Sequence, residues 1–489
     1  MINLSYLNRK LGLLMVVAFF VACGSNNNTN TGVKDTVQVD SADVAKDVKS
    51  DNQKTEVRQD IIKNDTIDAT DVELDQNIRN DNGRDIGPVL DPNRQPVTAV
   101  GSDPVRRPYS LHITWLHDPS TSAVMQWQTQ DQLAGAVCWI ARADEVKTNT
   151  DDSVSMPITS GHVFTGQNEK FGLKATNPDQ TLHWVEITGL TPGTKYRYRC
   201  GEMNIKGSMV TDVNLSPLYS FATPANGDTM NFMVYGDSRG GYEDVATMAS
   251  YIAKNFKDAE FHIFTGDFDS TGMQNEWDQW FAAMQPITTQ WGLIPVMGNH
   301  ELLTMNNYLG LFVLPKSTGT IDGVDLSEKA FSYDIGPVHI VVLDSNDKKT
   351  IKAQVSWLNN DLKATKKPWK VVALHHPAYA AGGHKSDGDV DTYFVPVFEA
   401  NNVDFVFNGH NHYYERTWPI RDGKKDDTGV VYVTTGGFGA PLYDTESAWF
   451  VAYGEKTMNF VNCKVTATQF DMTAYDESGI KIDNYTKNK

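Results

Sequence analysis

Asn231-Phe232-Met233-Val234-Tyr235-Gly236-Asp237-Ser238-Arg239 is an apolar run that stops at a Gly-Asp pair. An apolar run of this length reads as a buried strand, and the glycine lets the chain turn tightly after it. The pattern returns four times. Phe261-His262-Ile263-Phe264 leads to Thr265-Gly266-Asp267. Leu293 to Met297 leads to Gly298-Asn299-His300-Glu301. Val371 to Leu374 leads to His375-His376-Pro377, and Phe405-Val406-Phe407 leads to Gly409-His410-Asn411-His412. Glu243 to Phe256, Asn275 to Met284, Gln354 to Ala364 and Thr392 to Ala400 carry helical spacing. Strands alternating with helices predict an α/β layered domain. Polar residues placed directly after buried strands are where such folds put their chemistry.

Upstream the period changes. Ser110 to Trp115 and Ala136 to Ala141 read as strands, and Ala123 to Thr129 alternates. Short strands with turn signals between them predict an all-β sandwich. Gly189-Leu190-Thr191-Pro192-Gly193-Thr194, followed by Lys195-Tyr196-Arg197-Tyr198, resembles the E–F corner of a fibronectin type III domain. Residues 24–95 contain no Phe, Tyr or Trp and are rich in Asp, Asn and Thr. Such a stretch cannot bury enough apolar surface to offset its ordering entropy, so it reads as a disordered acidic tether. Residues 1–23 read as an export signal: Arg9 and Lys10 precede an apolar run from Leu11 to Ala22. Phe20-Val21-Ala22-Cys23-Gly24 resembles a bacterial lipobox with Phe where Leu is usual, which implies a lipidated Cys23 and a cell-envelope location outside the cytoplasm; ordinary secretion and a retained N-terminal anchor are the other readings. The expected domains are therefore 1–23, 24–95, 96–226 and 227–482.

The chain has 489 residues, 40% of them hydrophobic, and a formal net charge of -18. That length calls for more than one core. That charge predicts no nucleic-acid partner, so an anionic substrate would have to be captured by a local site. After Cys23, Cys138 and Cys200 lie in strand-like runs of one candidate domain and could pair in an oxidising compartment, leaving Cys463 over. Three small buried hydrophobes is the other reading.

Each polar motif alone is weak, since a Gly-Asp pair is usually a turn. Five in one order, each at a strand end, make a set. Asp, Asn and His are the oxygen and imidazole donors that suit Zn, Fe or Mn, and a shared carboxylate flanked by His and Asn is what two adjacent ions need. Gly-His-x-His would direct alternate His side chains of a strand to one side.

With Val371-Val372-Ala373-Leu374-His375-His376-Pro377-Ala378-Tyr379, Gly383-His384 and Gly409-His410-Asn411-His412-Tyr413-Tyr414-Glu415-Arg416-Thr417, the sequence resembles the calcineurin-like metallophosphoesterases, within them the purple acid phosphatase branch. The resemblance implies a four-layer αββα sandwich preceded by the β domain, and two metal ions. It implies that Asp267 bridges them, that Asp237 and His412 serve the first, and that Asn299, His375 and His410 hold the second. His300 is implied to face the substrate, where it contacts phosphate or protonates the leaving oxygen, and His384 to lie near the substrate too. Arg239 could clamp a phosphate oxygen or form an ordinary salt bridge.

Two departures concern the first metal. The purple enzymes use a Tyr three residues after the bridging Asp, and here that residue is Ser270. The wider superfamily uses a His two residues after the first Asp, and here that residue is Arg239. Asp269, Glu243, Asp244 and water are the candidates to fill the place. Without the Tyr no purple colour is expected, and Mn, Zn or ferrous iron become candidates beside ferric iron. The expected activity is hydrolysis of small phosphate monoesters by a metal-activated hydroxide. The alternatives are phosphodiester or nucleotide hydrolysis, and a cell-surface binding protein with a degenerate metal site. Tyr413, Tyr414, Tyr443 and Trp449 read either as packing or as the mouth of the pocket.

Overall fold

The structure, a computed structural model, describes residues 106–130, 136–146, 162–171, 180–206 and 209–489, and the backbone of Ile78–Arg79 and Asp85–Ile86, which pair antiparallel. The export signal and lipobox cysteine lie outside the described residues, as does the rest of the expected tether.

The first domain is a sandwich of two antiparallel sheets. One runs Tyr109–Thr114, Ser122–Thr129, Gln180–Thr188, Gln167–Phe171 in spatial order. The other runs Met209–Leu215, Lys195–Lys206, Val137–Arg142, His162–Thr165, with Tyr219–Ala222 also paired to Lys195–Lys206. Ile113, Met125, Trp127, Ile140, Val185 and Tyr198 meet between them. At the corner, the Tyr196 hydroxyl accepts from the Thr191 N–H at 2.8 Å, the tyrosine-corner geometry of such sandwiches. Cys138 and Cys200 face each other on adjacent strands and form a disulfide. Cys463 is free and buried.

Alternation from Ala123 to Thr129 predicts one wet face, yet every residue from Ser122 to Thr129 is buried. The α/β domain covers the second face. The Thr114 hydroxyl donates to the Val313 carbonyl at 2.8 Å, the Val313 N–H donates to Gln126 Oε1 at 2.7 Å, and the Tyr198 hydroxyl donates to the Thr289 carbonyl at 2.8 Å. Polar residues that read as solvent-facing are the hydrogen-bonding surface of a domain interface.

Two stacked sheets form the α/β domain. The first runs Gly292–Pro295, Phe261–Phe264, Thr229–Tyr235, Asn459–Thr466, Gln469–Asp476, Lys481–Asn488. The second runs Phe331–Ile335, Val338–Val342, Trp369–Ala373, Phe405–Asn408, Val431–Thr435, Tyr414–Thr417, Val451–Glu455. Period-2 alternation divides the second sheet's residues between two cores. Val371, Ala373, Phe405 and Phe407 point at the first sheet. Val372, Leu374 and Val406 point outward at helices Lys348–Ala364 and Val395–Ala400. Helices Tyr242–Asn255 and Gln274–Thr288 cover the other side of the first sheet. The layers are αββα, as expected.

Three boundaries differ from the sequence reading. Helix Lys348–Ala364 starts earlier because the Asp347 carboxylate caps it, accepting from the N–H groups of Lys349 and Thr350. The run from Thr392 is two helices, Gly388–Tyr393 and Val395–Ala400, the second with Pro in its first turn. Strand Lys481–Asn488 carries the domain past 482. The strands that precede the polar motifs run parallel within each sheet, so all five motifs emerge at one edge.

Candidate metal centre

The two loops carrying the aspartates brace each other. The Asp237 N–H donates to the Gly266 carbonyl at 2.9 Å, and the Ser238 N–H to the Asp267 carbonyl at 3.0 Å. Asp237, Asp267 and His410 hold φ values of 62°, 56° and 66°. Residues with a Cβ rarely adopt that conformation, and such strain gathers at functional sites. The glycines beside them allow close approach. A Cβ on Gly409 would lie 2.2 Å from Asp237 Oδ2, and one on Gly298 would lie 2.2 Å from Asp267 Oδ1.

Two clusters of donors result. In one, Asp237, Asp267 and His412 bring ligand atoms within 4.8 Å of one another, and all three are fully buried. In the other, His375, His376 and His410 do the same, with His376 half-buried. Asn299 joins the second cluster: its Oδ1 lies 3.0 Å from His375 Nε2 and 3.0 Å from His410 Nδ1. His375 Nε2 is also 3.3 Å from Asp267 Oδ1, so this carboxylate touches both clusters. All six ligands expected from the sequence therefore converge.

The donor set fits a cation. Asp237 Oδ2 is buried with no hydrogen-bond partner, and Asn299 Nδ2 likewise, its amide oxygen turned to the centre. His375 donates from Nδ1 to the Thr265 carbonyl at 2.8 Å, and His412 from Nδ1 to the Pro441 carbonyl at 2.7 Å. Each such bond fixes the tautomer that presents Nε2 as a donor atom to a metal. Burial, with His376, His375 and His384 nearby, pushes the His410 imidazole well below its ordinary range, and burial pushes His376 down to about 3. Both are neutral donors. Burial alone would raise the Asp267 carboxyl, but His375, His300 and Arg239 hold it well below the usual carboxylate range.

Gly409-His410-Asn411-His412 departs from one expectation. These residues form bends rather than a strand, and left-handed His410 sends the two imidazoles to different clusters. His300 is buried. Its Nδ1 donates to the Ser270 carbonyl at 2.7 Å and its backbone N–H to Asp267 Oδ1 at 3.1 Å. His384 is half-buried with its ring centroid 4.4 Å from that of His410, and the Asn411 side-chain oxygen accepts from its backbone N–H at 2.7 Å.

Arg239 is no surface salt bridge. It is fully buried, with Nε 3.3 Å from Asp267 Oδ2 and Nη2 2.7 Å from His412 Nε2. The acidic residues considered for the vacant ligand place lie elsewhere. Asp269 accepts from the Gly272 N–H, and Glu243 and Asp244 are exposed in the first turn of helix Tyr242–Asn255.

Two residues, Glu301 and His376, had no assigned role in the sequence. The buried Glu301 carboxylate accepts from the N–H groups of Gly298 at 2.7 Å, Phe268 at 2.9 Å and Asp267 at 3.0 Å, tying two ligand loops together. Its position directly after Asn299-His300 was the available signal. His376 joins the second cluster. Tyr443 stacks on His412 with ring centroids 4.1 Å apart, whereas Tyr413 and Tyr414 are packed inside.

Residues 230–414 match the family model for calcineurin-like phosphoesterases, and residues 108–223 match that for the N-terminal domain of purple acid phosphatases. Probable purple acid phosphatase 20 of Arabidopsis thaliana is 30% identical over 311 residues, covering 59% of this chain and 69% of that protein. The chain belongs to the purple acid phosphatase family. Purple acid phosphatase 22 of the same plant is 30% identical over 271 residues, covering 52% of this chain and 58% of its own length. The chain spans 58%, 65% and 57% of the length of the first three curated relatives it matches. A purple acid phosphatase from yellow lupin (Lupinus luteus) seeds shares the fold, with a TM-score of 0.66 at 16% identity over 78% of this chain and 74% of that one. Membership of this phosphatase family implies a two-metal centre, which the paired donor clusters accommodate.

Proposed function

We propose that this purple acid phosphatase relative hydrolyses small phosphate monoesters at the centre between Asp237 and His412. The observation that carries the reading is the pair of buried donor clusters joined by Asp267, three of whose ligands hold a strained left-handed backbone. Two bound cations would neutralise phosphate oxygens and acidify water there. Water gives up a proton and adds to phosphorus as the ester P–O bond breaks. The departing alkoxide takes a proton from His300, and the proton lost by the water restores that histidine through solvent. The Nδ1 bond to the Ser270 carbonyl leaves Nε2 as the atom that carries that proton. His384 stands at the half-buried side of the site, its Nε2 3.3 Å from the Tyr443 hydroxyl, placed to meet the substrate. Ser270 in place of a phenolate ligand favours ferric iron less and makes Mn, Zn or ferrous iron candidates, so the loaded protein should lack the purple charge-transfer colour.

The test is turnover of p-nitrophenyl phosphate and of bis(p-nitrophenyl) phosphate by metal-loaded protein, against an Asp267→Ala control. Faster monoester turnover supports the proposal, and faster diester turnover favours the phosphodiesterase alternative. Rates for both no higher than the control would sink the enzyme reading. We also propose export and anchoring through a lipidated Cys23. The Cys138–Cys200 disulfide supports an oxidising compartment. A Cys23→Ser variant should move from the membrane fraction to the soluble one, and unchanged fractionation would refute the anchor.

A further inference from the structure

We propose that the Arg239 guanidinium is a built-in cation that occupies the first metal position and must be displaced before an ion can enter it. Of the three donors of the first cluster, Asp237, Asp267 and His412, two face Arg239. Nη2 lies 2.7 Å from His412 Nε2, and Nε lies 3.3 Å from Asp267 Oδ2. His412 spends its Nδ1 proton on the Pro441 carbonyl, so its Nε2 lone pair is what the guanidinium N–H takes. One lone pair cannot serve a guanidinium and a metal at once. A guanidinium keeps its proton at any working pH, so it cannot yield by becoming neutral.

Charge gives the same answer. Asp237 and Asp267 are fully buried acidic side chains, and Arg239 is a fully buried cation against Asp267. It stabilises the metal-free loops, and it would repel an ion arriving beside it. The second cluster is free of this competitor. Asn299, His375 and His410 meet one another, and Asp267 reaches them with its other oxygen. The two positions therefore fill in order, the second cluster first. The first follows at much higher metal concentration, about 100-fold or more for a charge-assisted pair that must be broken in a buried site.

A route out exists. The Tyr443 hydroxyl lies 3.5 Å from Nη2 and 3.3 Å from His384 Nε2. A guanidinium displaced along this line arrives beside His384, where it can meet a phosphate oxygen with two N–H donors. Metal entry at the first position would thus deliver Arg239 to the substrate.

This inference rests on the metal-centre reading. Its test is titration of the metal-free full chain with Mn(II), following bound metal by equilibrium dialysis and spin-coupled pairs by electron paramagnetic resonance. In the native chain the first equivalent binds tightly as an isolated ion, and the coupled pair forms only at about 100-fold higher Mn(II). Arg239→Gln keeps the bulk, removes the charge, and should lower the Mn(II) needed for the pair by about 10-fold or more. Arg239→His should do the same, and thermal melting of both variants without metal checks that they fold. A native chain that fills both positions at one concentration, or variants that bind the second equivalent no tighter than native, overturns the inference while leaving the metal centre standing. No Mn(II) binding by any of the three proteins would overturn both.

Discussion

Replacing Glu301 with Gln tests whether the metal centre is organised from behind its ligands. The Glu301 carboxylate takes three backbone N–H groups, two on Oε2 from Asp267 and Gly298 and one on Oε1 from Phe268. A carboxamide has one accepting atom. If its oxygen takes the Asp267 and Gly298 pair, its NH₂ is pressed against the Phe268 N–H, and one buried donor loses its partner. A hydrogen bond to a charged acceptor contributes roughly 1.5–3 kcal/mol, and an orphaned buried donor costs about 1–3 kcal/mol. Glu301→Gln should therefore destabilise the fold by ~2–4 kcal/mol in chemical denaturation. The effect on metal is the sharper reading. The same bonds set the backbone of Asp267 and of the loop carrying Asn299, and outer-shell losses of this kind lower metal affinity by about 10–100-fold. Mn(II) titration of the folded variant measures that directly. A variant with native stability and native affinity at both positions would show that the loops hold their shape without the clamp, and the reasoning would be refuted.

Gly409→Ala should lower metal affinity further while the variant still folds. Its Cβ would sit 2.2 Å from Asp237 Oδ2 and 2.9 Å from the Thr265 carbonyl, so the carboxylate must swing away; dialysis and circular dichroism check the two halves. His339→Asn should destabilise the protein at pH 6 but not at pH 10. Burial alone would lower the His339 imidazole, yet its hydrogen bonds to Asp334 at 2.7 Å and Asp361 at 2.8 Å raise it to about 9. A raised value means stability present in full below 6.5 and lost as pH climbs through 9. The full displacement is worth ~3 kcal/mol, which the half-exposed Asp334 reduces to ~1–2 kcal/mol. Melting curves of both proteins across that range should converge, and a constant gap would contradict the ion-pair account. Replacing Cys138 and Cys200 with Ser removes a cross-link spanning 62 residues, and should cost ~2–4 kcal/mol in the β domain. Equal denaturation midpoints for native and variant chains would argue against it.

The α/β layering was legible because it is written in period. Val371 to Leu374 alternate between two cores, and both are apolar, so the run reads as a continuous buried strand before any partner is known. Asp237, Asp267, Asn299, His375, His410 and His412 were legible because five weak motifs recur in one order at strand ends, and because that set resembles the calcineurin-like metallophosphoesterases. What the sequence hid depends on contacts distant along the chain. Gln126 belongs to an alternating strand of the sandwich, and only the α/β domain's Val313, bonded to Gln126 and to Thr114, makes that face an interface. Glu301 has no periodicity to betray it. It matters because three N–H groups from two loops meet at its carboxylate.

Arg239 separates the two kinds of information most clearly. Its spacing after Asp237 marked the residue as one that replaces a ligand, and left open whether it faced substrate or solvent. Zero exposure excludes solvent, and a 2.7 Å contact with His412 Nε2 places it on a ligand's donor atom. A family built on two cations has here a chain that supplies one itself. The missing ligand is then one change with two consequences. The additional imidazole expected two residues after Asp237 is absent, and a guanidinium stands on the donor atom of His412, the imidazole that remains. Losing a ligand alone would weaken the first position and leave it open to any cation. Losing it to arginine also sets a buried cation 3.3 Å from Asp267 Oδ2, so an ion entering the first position must compete with that guanidinium.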